Sequence, residues 1–126
     1  MSTTTASAGT LSTTFASNVG ADDTTVYSGP LTISSAFTGP AVGPMDMDIV
    51  VKLQTPFTYN PTNGNLLLET RIFDPAGAAA HAYTEAFGEA NDTGSRVIAL
   101  NATATTADFS DTGIDAIKFI YGKCSP

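Results

Sequence analysis

Apolar and polar residues alternate most regularly over residues 45–54, "MDMDIVVKLQ". Met45, Met47, Ile49, Val51 and Leu53 fall on one side of an extended chain. Asp46, Asp48, Lys52 and Gln54 fall on the other, with Val50 the one apolar residue among them. A period of two over ten residues predicts a half-buried β-strand, because successive strand side chains point to opposite faces. Ile49 is expected in the core and Asp48 on a solvated face. A second run, "NLLLETRIF", puts Leu66, Leu68, Thr70 and Ile72 on one face, with Leu68 expected in the core. Glu69 and Arg71 lie on the other face, together with Leu67 and Phe73. Before this run, "FTYNPTNG" ends in an Asn63-Gly64 pair that tolerates the positive φ of a tight turn. The pattern predicts a hairpin with Phe57 and Tyr59 on its first arm.

The rest of the chain is less regular. Residues 24–28 and 31–34 read as a strand broken at Gly29-Pro30; proline brings no ladder donor, so the break is a bulge, a bend or an edge position. "FTGPAVGP" is a loop punctuated by two Gly-Pro pairs. "RVIAL" reads as a short buried strand. "IDAIKFIYG" reads as the last strand, with Ile117, Phe119 and Tyr121 on one face and Lys118 on the other. Residues 75–93 are rich in alanine, which favours helix. Pro75, Gly77 and Gly88 cut that stretch short, so a long loop with at most one helical turn is expected. Residues 1–14 are dense in Ser and Thr, and suit either an edge strand or a flexible arm. Together these signals predict an all-β fold of six to seven short strands, an antiparallel β-sandwich or jelly-roll-like arrangement forming a single domain over residues 1–126.

Composition narrows the function classes. The chain has a net charge of −7 and only five cations, Lys52, Lys118, Lys123, Arg71 and Arg96. They are scattered, whereas a phosphate backbone requires clustered Lys or Arg, so nucleic acid is not an expected partner. Cys124 is the single cysteine, so no disulfide can form within the chain. No stretch approaches the roughly 20 apolar residues of a membrane helix, so membrane insertion is not expected. The opening residues lack the charged and apolar regions of a signal peptide.

Candidate chemistry is thin. Asn18, Asp22 and Asp23 form an oxygen-rich loop of the kind calcium prefers, although the D-x-[DN]-x-[DN]-G spacing is absent. The alternative is a polar turn held by Asx hydrogen bonds. Asp108, Asp111 and Asp115 form a second acidic stretch that reads as a solvated turn. His81 is the one histidine, too few for a typical zinc site, and no G-x-S-x-G elbow accompanies it. Glycoside hydrolysis needs two placed carboxylates; Glu69, Asp74, Glu85 and Glu89 are available, but nothing specifies a pair. For sugar stacking the chain has no Trp, which leaves Tyr83 and Phe87 in the long loop as candidate ligand-binding aromatics. Asn91-Asp92-Thr93 and Asn101-Ala102-Thr103 are formal glycosylation sequons.

The segments "LSTTFASNVGADDTTVYSG", "DIVVKLQTPFTYNPTNGNLLLETRIF" and "SRVIALN" resemble a set of bacterial exported proteins common where PEP-CTERM-type surface sorting operates. The resemblance covers residues 11 to about 101, with a weaker echo in the last strand. It implies an extracellular or cell-surface β-sandwich module. Such proteins usually carry a signal peptide, further strands before the "LSTT" segment and a sorting tail, none of which this sequence displays. The resulting expectation is a non-enzymatic module for binding or surface assembly, with extracellular polysaccharide as a ligand class and a homo-oligomer as the assembled state. The alternatives are a self-assembling surface-layer or fibre subunit and a glycan-active hydrolase.

Overall fold

The computed structural model describes residues 1–73, 86–87 and 93–122. Their regular structure is all β apart from one 3-10 turn, Phe15–Ser17. Six short strands are present among the described residues: β1 (Ser2–Thr4), β2 (Asn65–Leu67), β3 (Ala86–Phe87), β4 (Arg96–Ile98), β5 (Phe109–Asp111) and β6 (Ile114–Asp115). They form three separate antiparallel pairs, β1 with β2, β3 with β6 and β4 with β5.

The best-buried strand is the most polar one. Ser2 is 1% exposed, and Thr3 and Thr4 are buried beside it. On one side β1 pairs with β2, Ser2 opposite Leu67 and Thr4 opposite Asn65. On the other side the Thr24 amide donates to the Met1 carbonyl at 2.8 Å. Beside it, the Thr3 amide and hydroxyl both donate to Asp22 Oδ1, at 2.8 and 3.0 Å. The Gly20 amide donates to Ser2 Oγ. Short hydroxyl side chains can be buried here because their polar atoms find partners. Ser2–Thr4 thus takes the strand form expected for this region, paired with β2 on one side and held by Gly20, Asp22 and Thr24 on the other. Two glycines permit that closeness. A Cβ at Gly20 would collide with the Thr3 carbonyl, and one at Gly64 with the Thr4 carbonyl. Gly64 also has φ of 142°, outside the comfortable range of an L-residue.

The Asn-Gly turn forms, but not as the closure of a ladder. Asn63 N–H bonds the Asn60 carbonyl, the Thr62 amide and hydroxyl bond Asn60 Oδ1, and the Tyr59 hydroxyl donates to the Gly64 carbonyl. The following strand stops at Leu67 and takes β1 as its partner instead of residues 57–59. Leu68, expected in the core, is 40% exposed. The turn is legible in the sequence; the partner is not, because β1 comes from more than sixty positions away.

Residues 45–54 carry no assigned strand, and the Asp48 amide turns back to the Asp46 carbonyl at 3.0 Å. They run antiparallel to residues 26–38 all the same. The Asp46 amide donates to the Thr38 carbonyl at 2.9 Å, and the Gln54 amide to the Val26 carbonyl at 2.8 Å. Between these two anchors the register slips by four residues, and the slip is taken up at the Gly29-Pro30 break. There the Gln54 side chain acts as a substitute backbone for Ser28, accepting from its amide at 3.0 Å and donating to its carbonyl at 3.2 Å. Gly29 stands at a bend, one of the outcomes expected at this break. The expected burial of Ile49 is absent: it is 39% exposed. Val26 is the one buried hydrophobic residue among those described.

Nor is "RVIAL" a buried strand, since β4 is half-buried and Leu100 is exposed. The last strand is confined to Ile114–Asp115, leaving residues 116–121 extended and exposed. Antiparallel β structure is thus established, in three small pairs among the described residues.

Candidate functional site

Asn18 is 5% exposed and fully committed. Its Oδ1 accepts from the Ser12 amide and its Nδ2 donates to the Ser12 carbonyl, both at 2.8 Å. That pair of bonds clamps the loop ahead of the 3-10 turn. Asp22 Oδ1 holds the Thr3 amide and hydroxyl. The Thr3 amide is the main reason its carboxyl is held below the ordinary range. Asp23 is exposed. Asn18 and Asp22 thus already hold partners within the chain, Ser12 and Thr3. Among the described residues no three of His, Cys, Asp and Glu come together.

The second acidic stretch is not a simple solvated turn. Asp111 lies in β5 directly opposite Arg96 of β4. Arg96 Nε and Nη2 donate to its two carboxylate oxygens at 2.8 and 3.2 Å, a forked pair that lowers the Asp111 pKa. Asp108 Oδ2 accepts from the Leu100 amide at the other end of the hairpin. These carboxylates pin the β4–β5 register. The sequence signal was present, an acid and a base in adjacent strands, but it needed the pairing to be read.

Two concave surfaces lie near these candidates among the described residues. One, of about 210 Å³, lies beside β1 and the Asn18–Gly20 loop and is lined by threonines and small residues. The other, of about 420 Å³, opens between the Phe15 turn, residues 69–71 and the loop at 103–105. Residues 13–15 are held to residues 105–107 there: the Phe15 amide donates to the Thr105 carbonyl and the Ala107 amide to the Thr13 carbonyl. The cleft brings Asp23 and Glu69 to one surface with Arg71, and Arg71 Nε is paired with Glu69. Hydroxyls of Thr14, Thr103 and Thr105, a guanidinium and carboxylates can hydrogen-bond a polar, polyhydroxylated ligand. Asp23 and Glu69 line this cleft together although 46 positions separate them in the chain.

Tyr83, Glu85, Glu89, His81 and Cys124 lie outside the described residues. Phe87 is described only as backbone, in β3 opposite Ile114.

Residues 26–38 and 45–54 form an exposed ribbon. Two backbone bonds join it, 38 with 46 and 26 with 54. Its apolar side chains include Leu31, Ile33, Met47, Ile49, Val51 and Leu53. All six are between 39% and 52% exposed. Val50 is 71% exposed, and Asp48 Oδ2 accepts from the Ala36 amide at 2.6 Å and from Ser35 Oγ at 3.0 Å. Those two bonds hold the Asp48 carboxyl below its ordinary range, with the Ala36 amide the larger cause.

Comparison with family profiles, curated proteins and solved structures returns no match.

Proposed function

We propose that this chain is a non-enzymatic β module that works by association, as a binding or surface-assembly unit of the sandwich type. The observation that supports the reading is the exposed apolar ribbon of residues 26–38 and 45–54. Six aliphatic and Met side chains each at least 39% exposed in two neighbouring segments are unusual on a monomer and commonly mark an interaction site. The resemblance to exported bacterial proteins supports an extracellular or cell-surface setting. The polar cleft at Asp23, Glu69 and Arg71 suits a polysaccharide as the bound class, and assembly into a layer or fibre is the variant in which the bound class is the protein itself. No membrane-crossing role by helix is invoked, since no described helix is long and apolar enough to span a bilayer.

Light scattering at micromolar concentration, together with co-sedimentation on insoluble polysaccharide, tests the reading. A mass above that of one chain, or retention on the polysaccharide, is expected. A monomer that stays in the supernatant would overturn it. The cleft also keeps a glycan-active hydrolase in view, because Asp23 and Glu69 share it. Release of reducing ends from a glycan panel, lost in Glu69→Gln, would establish that alternative; no release is expected.

A further inference from the structure

We propose that Asn63 is a site of spontaneous modification, where loss of the side-chain amide leaves an aspartyl or isoaspartyl link to Gly64, and that the isoaspartyl form loosens β1. The proposal is independent of the association reading.

The chemistry needs no partner but water. The Gly64 amide nitrogen, having given its proton to hydroxide, attacks Asn63 Cγ. The Cγ–Nδ2 bond breaks, ammonia leaves and a succinimide ring closes. Water then opens the ring at either of its carbonyls. Opening between the nitrogen and Cγ gives aspartate in a normal chain. Opening between the nitrogen and the main-chain carbonyl carbon routes the chain through Cγ, as isoaspartate. One water is consumed, one ammonia is released, and nothing is oxidised or reduced.

Ring closure needs an accessible Asn side chain, an unengaged amide after it and little bulk on the following residue. Asn63 is exposed. Its Oδ1 meets the Thr62 hydroxyl only at 3.5 Å, the outer limit of a hydrogen bond. The Gly64 amide makes no hydrogen bond to the described residues, and Gly64 has no Cβ to cover Asn63 Cγ. The other described asparagines each lack one of these conditions. Asn18 is buried, with both amide atoms on Ser12, and precedes the β-branched Val19. Asn60 precedes Pro61, which has no N–H. Asn65 lies within β2, donates from Nδ2 to the Ala6 carbonyl and precedes Leu66. Asn101 Oδ1 accepts from the Thr103 amide and hydroxyl, and the next residue is Ala102.

The position gives the modification a structural effect. Gly64 is packed on β1 so closely that a Cβ there would collide with the Thr4 carbonyl, and its neighbour Asn65 pairs with Thr4. The Asn63 amide is tied to the Asn60 carbonyl, and the Gly64 carbonyl accepts from the Tyr59 hydroxyl. An isoaspartyl link inserts a methylene into the main chain between those two anchors. Gly64 then shifts against Thr4, and the seat of β1 opens.

The native chain is aged in mildly alkaline buffer and cut at Lys52 and Arg71, which isolates Asn60, Asn63 and Asn65 in one peptide. Mass spectrometry and isoaspartyl methyltransferase labelling read the product. Conversion is expected at Asn63 ahead of Asn60, Asn65 and Asn101, faster as pH rises and lost in Asn63→Gln, whose larger ring closes far more slowly. Hydrogen exchange on the isoaspartyl fraction should show loss of protection at the Thr3 and Thr4 amides. Asn63→Asp adds the same charge without the extra main-chain atom and should keep that protection. An aged native chain in which Asn63 persists, or in which another described asparagine converts first, overturns the site. Protection at Thr3 and Thr4 that is equal in the isoaspartyl fraction and the fresh chain overturns the link to β1.

Discussion

Asp48 shows how far a single side chain can differ from its place in a pattern. Alternation assigns it to the solvated face, and it is exposed there, yet its carboxylate replaces a backbone acceptor for Ala36 and binds Ser35. Asp48→Ala is therefore expected to lower the urea midpoint at neutral pH, whereas Asp46→Ala leaves it unchanged. Equal midpoints for the two would mean that the bonds to Ala36 and Ser35 contribute nothing. Asp22 and Asp111 are depressed in the same direction for the same kind of reason. A carboxyl whose folded pKa lies below its unfolded value contributes stability that is present above the unfolded value, near 4, and is lost as pH falls through the folded value. The native chain should accordingly lose stability between about pH 5 and pH 3. Asp22→Ala should be weaker at pH 7 but lose less over that interval. An acid loss as large in Asp22→Ala as in the native chain would remove Asp22 from the account. Asn18 and Asp22 also bear on calcium. Their oxygens are already engaged by Ser12 and Thr3, so thermal melts in millimolar calcium and in chelator should coincide. A midpoint raised by calcium would show that the ion competes successfully for those oxygens.

At the scale of elements, the sequence was most informative about local geometry and least about partners. The Asn60–Gly64 turn and the break at Gly29-Pro30 follow from residue types over a few positions, and both are present. What the pattern could not supply was the distant neighbour. "STT" looks like an arm because burying hydroxyls is favourable only when Asp22, Gly20 and the β2 backbone arrive together. Likewise, a period of two states which side chains share a face, not whether anything covers that face. The glycines make β1 testable. Gly64→Ala must place a methyl against the Thr4 carbonyl at a φ of 142°, and should destabilise by about 1 to 3 kcal/mol. Gly9→Ala meets open space, although its φ of 78° is still unfavourable, so its cost should be the smaller of the two. The reverse order in chemical denaturation would mean that β1 is not seated between Gly20 and Gly64 in solution.

At the scale of the whole molecule the decisive quantity is the ratio of covered to uncovered apolar surface. Val26 alone is a buried hydrophobic residue among those described, while Leu31, Ile33, Ile49, Val51 and Leu53 are each at least 39% exposed. A domain gains most of its stability by removing such side chains from water, at roughly 25 cal/mol per Å². The hydrogen bonds that order β1 and the β4–β5 hairpin contribute only about 1 kcal/mol each once the competing bonds to water are counted. Ordering the backbone costs a similar amount per residue. Polar satisfaction can therefore fix the register of these elements, but it leaves little margin for an isolated chain. If the apolar face is covered by association, folding and binding are linked, and stability becomes a function of protein concentration. The midpoint of thermal unfolding should rise steadily across a hundredfold increase in concentration, and Ile49→Lys should flatten that rise without abolishing the β signature in far-UV circular dichroism. A midpoint independent of concentration in the native chain would mean that the ribbon closes on its own molecule, with the stability of the fold carried by contacts within one copy.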